Sequence, residues 1–467
     1  MSRITIVGGG LVGSLLSIFL AKRGHTVNVY ERRGDPRKVD VYAGRSINLV
    51  VSHRGWTALR AAGVEEAVKA ITVPVYARMM HDREGNLNRV PYSIDNRAIY
   101  SVSRGELNRR LLTEAEKLPN VKLHFDHRCA DVDLATATCH FQREEGDHVV
   151  VNADVVFGSD GAFSAVRQKM MQGRFTYSQE YIEHDYKEVA FPANADGTPK
   201  MDPQCLHIWP RRWFMMMGLA NQDGGFTGTL FMPNTALAVT PEAGPRVIGV
   251  GPGHLESRIG FDTIRTPEQV QAFFKEHFAD ALPIVPDLVE QYLRNPQSSL
   301  VIIRCNPWQV NGKVALIGDA AHAIVPFYGE GMNAGYEDCK VLNDLLNEHG
   351  DDNWAEVLAR YAAKRKPNGD AIADLSLRNF VEMRDLVADP KFLLRRKIEG
   401  HLQAKHPDKW LPLYSQVKFS DIEYKDAWKE GLRHDRIMEE VLAMEGVEEN
   451  WEGAEVERRV LELVGAA

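Results

Sequence analysis

Cysteine is scarce in this chain and never paired in sequence. Five occur in 467 residues, at Cys129, Cys139, Cys205, Cys305 and Cys339. An odd count with no CxxC spacing argues against a disulfide framework or a structural zinc cluster and fits a reducing, cytoplasmic compartment. Long apolar runs are missing too. The longest, Leu11 to Ala21, falls short of the roughly 20 residues that cross a bilayer. Met1-Ser2-Arg3 runs directly into an apolar strand with no cleavage-site pattern, so neither a secretory leader nor a membrane anchor is expected. There is no basic excess: 56 Lys and Arg stand against 64 Asp and Glu, for a net charge of -8. That balance argues against nucleic acid as a partner. Repeats and low-complexity segments are absent. Hydrophobic residues at 44% and charged residues at 26% exclude a disordered, collagen-like or coiled-coil chain.

Glycine is present, and its clusters are informative. Ile4-Thr5-Ile6-Val7 reads as a buried strand, Gly8-Gly9-Gly10-Leu11-Val12-Gly13 as a turn, and Ser14 to Arg23 as a helix ended by Gly24. Thr26 to Glu31 is the next strand. This is a βαβ start carrying GxGxxG. Gly8 permits the tight turn, Gly10 lets the backbone approach a pyrophosphate, and Gly13 lets the helix pack against the strand. Glu31 ends the second strand, where it accepts from a ribose hydroxyl and disfavours a 2′-phosphate. FAD or NAD suits this site better than NADP.

Further strands are read at 46–51, 98–102, 147–157, 205–209, 213–219, 226–232 and 314–319. Helices are read at 104–115, 267–294, 333–349 and 353–366, with a mostly helical remainder from 370 and a Gly/Pro-rich loop at 241–261. Two segments separate FAD from NAD. One is Gly158-Ser159-Asp160-Gly161-Ala162-Phe163-Ser164-Ala165-Val166-Arg167. The other is Gly318-Asp319-Ala320-Ala321-His322, continuing to Gly329, Gly331, Met332 and Asn333. Asp319 at a strand end accepts from ribityl hydroxyls. The Gly329–Asn333 turn opens a helix whose positive end favours an anionic reduced flavin.

These segments, in this order, resemble the single-component FAD-dependent aromatic hydroxylases. No second Rossmann fingerprint is present, since Gly249-Val250-Gly251-Pro252-Gly253 reads as loop. Gly44–Leu49, Ala77–Met79, Leu206–Pro210, Ala323–Phe327 and Asn379–Met383 narrow the resemblance to the kynurenine-hydroxylating branch, from residue 1 to about 420.

The resemblance implies an α/β fold of FAD/NAD(P)-binding Rossmann type with an α+β insert: an antiparallel substrate sheet, followed by a C-terminal helical region. It places FAD-binding parts at 1–80, 104–171 and 301–370, a crossover of the substrate sheet at 81–103, the substrate sheet and its helices at 172–300, and the closing helices at 371–467. It implies that Arg78 and Tyr92 hold an α-carboxylate, that Asn379 and Tyr414 complete the substrate site, and that Phe327 and Tyr328 line the ring pocket. FAD contacts fall on Gly8, Gly10, Val12, Gly13, Tyr30, Glu31, Arg32, Arg33, Val50, Arg104, Cys129, Asp160, Gly161, Asp319, Gly331, Met332 and Asn333. Cys129 is expected to offer backbone only.

The implied reaction is hydroxylation of L-kynurenine with NADPH and O2 through a flavin C4a-hydroperoxide, by a monomer or homodimer. No metal and no side-chain nucleophile or base is implied. Two other readings stay open: a related hydroxylase acting on another aniline or tryptophan-derived acid, and a non-catalytic escort protein of the same fold. The sequence departs from the branch at Glu330, where glutamine is expected, at Tyr328, where Phe or His is expected, and in a longer 233–263 stretch.

Overall fold

The computed structural model describes residues 1–38, 47–93, 95–143, 146–211, 213–236, 259–383 and 389–465. Most of the loop expected at 241–261 and of the 233–263 stretch lies outside the described residues, as do Gly44, Arg45 and Ser46.

A six-stranded sheet forms the nucleotide-binding layer. Its order is Gln309–Val310, Val314–Leu316, Val155–Gly158, Arg3–Val7, Thr26–Tyr30 and Val121–His124. All pairings are parallel except the terminal hairpin. The central strands Arg3–Val7, Val155–Gly158 and Val314–Leu316 read as near-continuous apolar runs because both faces are covered. Helix Leu11–Lys22 packs on the sheet with Leu15, Leu16, Ile18, Phe19 and Leu20 buried, and helix Gly331–His349 packs against that helix.

A seven-stranded sheet forms the second layer: Ser298–Asn306, Thr176–Phe191, Phe226–Pro233, Met215–Ala220, Cys205–Pro210, Ala77–His81 and Leu87–Pro91. It is antiparallel, as expected, except where Ala77–His81 runs parallel to Cys205–Pro210 and sets Arg78 opposite Leu206. The two faces of this sheet serve different cores. Met80, Leu206 and Ile208 join the pocket cluster with Tyr92 and Phe327, while Trp209 and Met216 join the cluster around helix Pro267–His277. Alternation along a strand enforces this division.

Three local readings needed correction. The strand expected at 147–157 is two, His148–Asn152 and Val155–Gly158, which belong to different sheets. Asp154 marks the break: its carboxylate accepts from Arg3 N at 2.7 Å. The helix expected over 267–294 is Pro267–His277 and Leu288–Arg294, because Pro283 and Pro286 remove donors and restrict the residues before them. The helix expected to stop at 366 continues as Trp354–Val381 through Pro367. A proline within a helix costs about 3 kcal/mol or more; here the buried face of Ile372, Leu375 and Phe380 outweighs it. The C-terminal region is helical as expected, with Pro390–Lys405, Leu413–Phe419, Tyr424–Leu442 and Ala454–Gly465. Among the described residues, no helix is long and apolar enough to cross a membrane.

Candidate active site

The glycine turn is built as a phosphate cradle. Gly8 has φ +104°, and a Cβ there would lie 2.4 Å from the Ser159 carbonyl oxygen. A Cβ on Gly13 would lie 2.0 Å from the Gly8 carbonyl oxygen, whereas Gly10 faces open space. The Leu11–Lys22 helix has no side-chain cap and no acid in its first turn, so its N–H groups remain for an anion. Glu31 is held by Gly9 N at 2.9 Å and Arg33 N at 3.0 Å. Arg32, Arg33 and Arg104 are exposed, and Arg104 opens the helix Arg104–Glu116. The Tyr30 ring is sandwiched between His124 at 4.4 Å and Phe141 at 4.1 Å. The part of Tyr30 facing the turn is its carbonyl, which accepts from Gly8 N. Burial pushes the Cys129 thiol up to about 12, with Asp160 and Asp131 adding to it, so it is no reactive thiolate.

The far end of the cradle comes from the second half of the chain. Gly161 and Gly318 both adopt positive φ, and Val12 packs where a Cβ on Gly318 would sit. Asp160 accepts from Ala165 N at 2.7 Å. Asp319 is exposed at the start of a short helix. Asn333 is spent on ordering the wall: its Nδ2 donates to the Val50 and Gly329 carbonyls, and its Oδ1 accepts from Ser52 N. Gly331 and Met332 begin a helix with no side-chain cap. The open glycine turn, the uncapped helix starts and the exposed Asp319 fit FAD.

Behind this wall lies a buried charged triad. Asp338 accepts from His322 Nε2 at 2.6 Å, Arg365 Nε at 2.6 Å and Gly318 N at 3.1 Å. Burial opposes the Asp338 charge, but His322 and Arg365 hold its carboxyl down at about 2. Burial likewise opposes the charge on His322, yet Asp338 raises it above 6.5. Its stabilisation is therefore complete below the unfolded value of about 6.5 and fades as pH rises through the folded value. The melting-temperature advantage of the wild type over His322→Gln is expected to shrink as pH rises from about 6 to about 9, as thermal unfolding at each pH will show.

The second site adjoins the flavin-side turn. The Arg78 guanidinium lies 4.9 Å from the centre of the Tyr414 ring and 5.7 Å from that of Tyr92. Tyr92 and Tyr414 stack at 5.4 Å, and Tyr328 stacks on Tyr414 at 5.9 Å. Arg78 Nε is buried without a hydrogen-bond partner, while the Arg78 and Tyr414 side chains both stand within hydrogen-bonding reach of the Tyr92 hydroxyl. Such an orphan is costly unless a ligand satisfies it. Burial opposes the Arg78 charge, but Tyr414, Tyr92 and Glu382 raise its pKa. Phe327 stacks on Phe380 at 4.2 Å and meets Phe231 at 4.9 Å. Asn379 Nδ2 donates to the Phe327 carbonyl at 2.7 Å and to Met383 Sδ at 3.3 Å; its amide group thus anchors the turn.

The structure brings Arg78, Tyr92, Tyr328 and Tyr414 together and ties Asn379 to Phe327. Two residues escaped the sequence reading. Glu382 stands one helical turn beyond Asn379, paired with Arg396; burial opposes its charge, but Arg396, Arg78 and Arg378 keep its carboxyl below the usual range. Lys418 stands four residues beyond Tyr414 and meets Glu330. Both spacings, i to i+3 and i to i+4, mark a shared helix face.

A nucleotide cradle adjoining a buried aromatic cluster edged by Arg78 is the arrangement expected of an FAD-dependent aromatic hydroxylase. The FAD binding domain family matches residues 1–376. Over 464 residues the chain is 46% identical to the kynurenine 3-monooxygenase of Flavobacterium johnsoniae, covering 99% of this chain and 98% of that protein. It is 41% identical over 444 residues to the Anopheles gambiae enzyme of the same name, covering 94% of this chain and 86% of that one. The chain belongs to the kynurenine 3-monooxygenase family. In fold alone it is similar to the p-nitrophenol 4-monooxygenase of Pseudomonas putida, with a TM-score of 0.64, 17% identity, and 91% and 98% of the two chains covered.

Proposed function

We propose that this chain converts L-kynurenine to 3-hydroxy-L-kynurenine, with NADPH as hydride donor and O2 as oxygen source. One oxygen atom enters the ring and the other leaves as water, balanced by NADPH and a proton. FAD, when bound, supplies the hydride-accepting and oxygen-activating chemistry. Gly8, Gly10, Gly13 and the first turn of the Leu11–Lys22 helix hold its pyrophosphate. Glu31 takes the ribose and Asp319 the ribityl chain.

The observation that carries the substrate reading is the buried Arg78 guanidinium, set between the rings of Tyr92 and Tyr414 with its Nε unpartnered. A guanidinium fork with a phenol beside it suits an α-carboxylate. Tyr414 covers that end of the substrate, and Glu382 supplies negative charge for an α-ammonium. Phe231, Phe327 and Phe380 hold the aromatic ring and exclude water. No side chain acts as nucleophile or base. The five cysteines are free and buried, which supports a reducing, cytoplasmic location; the enzyme acts as a monomer or homodimer.

The purified protein is expected to be yellow and to oxidise NADPH faster when L-kynurenine is present, with product heavier by one oxygen atom. Unchanged NADPH oxidation with no product by mass spectrometry would sink this reading. A panel of other anilines and tryptophan-derived acids then finds the substrate.

A further inference from the structure

Glu330 lies at the turn that opens helix Gly331–His349 and is completely buried. Its carboxylate is fully engaged. Lys418 Nζ donates to Oε1 at 2.7 Å, and the Tyr424 hydroxyl donates to Oε2 at 2.6 Å. Ser52 Oγ donates to Oε2 at 3.2 Å, and Asn333 Nδ2 stands 3.5 Å from Oε1. Lys418 is only 2% exposed and also donates to the Gly329 carbonyl at 3.3 Å. The carboxylate that replaces the expected amide therefore has a dedicated countercharge, 88 residues later in the chain.

Lys418 sits on the short helix Leu413–Phe419, which also carries Tyr414. The two residues are one helical turn apart, so the same rigid segment presents a tyrosine to Arg78 and an ammonium to the flavin-side turn. Tyr328 fills the space between, stacked on Tyr414 and 5.9 Å from Lys418 Nζ. Other arginines grip this segment and the residues just after it as well. Arg54 donates to the Val417 and Ile422 carbonyls, and Arg97 donates to the Phe419 carbonyl at 3.0 Å. These contacts end on backbone. The Lys418–Glu330 pair joins the helix Leu413–Phe419 itself to the turn beside the flavin through an ion pair of two side chains.

We propose that Lys418 is a positioning residue: with Glu330 it locks the Tyr414 helix to the flavin-side turn, so that the carboxylate clamp and the flavin wall close in one register. This inference rests on the kynurenine reading above. A buried ion pair is a poor source of stability but a good specifier of register, which is the property used here.

Lys418→Met alone strands a buried carboxylate, so the double variant Lys418→Met/Glu330→Gln carries the test; its glutamine still accepts from Tyr424. Two measurements are made on the FAD-loaded full chain without NADPH. Titration of the flavin absorbance with L-kynurenine reads the Kd, and hydrogen exchange reads the amides of Leu413–Phe419. In the double variant the Kd is expected to rise about tenfold, because the closed register is populated about a tenth as often. Exchange of the helix amides is expected to quicken while FAD is retained. In turnover, less product forms per NADPH oxidised. A double variant with wild-type Kd and wild-type exchange overturns the inference alone. A wild type whose flavin ignores L-kynurenine overturns the substrate reading, and this inference with it.

Discussion

Arg78→Ala is expected to raise the KM for L-kynurenine about hundredfold, a loss of about 3 kcal/mol, while FAD stays bound. The size follows from the surroundings of the guanidinium. Aromatic rings of Tyr92 and Tyr414 flank it, so a carboxylate reaching it is removed from water, and charge-assisted pairs there are about twice as strong as neutral ones. FAD is spared because the cradle is built by Gly8, Gly10 and Gly13 on another sheet. Steady-state kinetics and the flavin absorbance spectrum check both halves. An analogue lacking the α-carboxylate sharpens the result: the wild type should handle it as poorly as Arg78→Ala handles L-kynurenine, and Arg78→Ala should be nearly indifferent to the deletion. If both proteins lose equally when the carboxylate is removed, Arg78 is not its partner.

Gly13→Ala is expected to yield protein without flavin. The added Cβ would stand 2.0 Å from the Gly8 carbonyl oxygen and 3.3 Å from Ile6 Cγ2. The first contact is to backbone, so relief requires the helix to move off the strand. Gly8 has no room to follow, because it is itself in the left-handed region and backs onto the Ser159 carbonyl. Overpacking of this kind costs about 1–3 kcal/mol or more. Moving the helix N-terminus also withdraws its N–H groups from the pyrophosphate. Together these effects should lower FAD affinity by about a hundredfold or more. Flavin content after purification and titration with free FAD measure it. A yellow Gly13→Ala protein with wild-type flavin content would mean that the helix is not seated this closely when the cofactor is bound.

The nucleotide half was legible because its chemistry is local. A strand, a glycine turn and a helix follow one another in sequence, and each constrains the next. Gly318, whose φ is positive, was readable as a turn for the same reason, although the strand before it stops at Leu316 and Asp319 opens a short helix. The pocket was less legible, because its members come from Ala77–His81, the 326–328 turn, Trp354–Val381 and Leu413–Phe419, and no periodicity connects them. The family resemblance drew attention to Arg78, Tyr92 and Tyr414; the structure supplied their stacking. Lys418 shows the limit most plainly. A lysine near a C-terminal helix reads as solvent-facing, and only the fold reveals the carboxylate waiting for it. Two helix bounds differ from the sequence reading in opposite ways. Pro283 and Pro286 end a helix that periodicity favoured, while Pro367 fails to end one because the packing of its buried face prevails.

The strand order of the six-stranded sheet has a consequence for biosynthesis. Val155–Gly158 is covered on one side by Arg3–Val7 and on the other by Val314–Leu316, and the indole of Trp354 donates to Ser2 Oγ. A ribosome must therefore release about two-thirds of the chain before the strand Val155–Gly158 gains both of its neighbours. Contacts this distant in sequence form slowly. Until they do, the nascent cradle carries exposed apolar strands, the condition that favours aggregation during synthesis. A chain stopped near residue 300 is expected to emerge as an aggregate, whatever the completeness of its glycine turn.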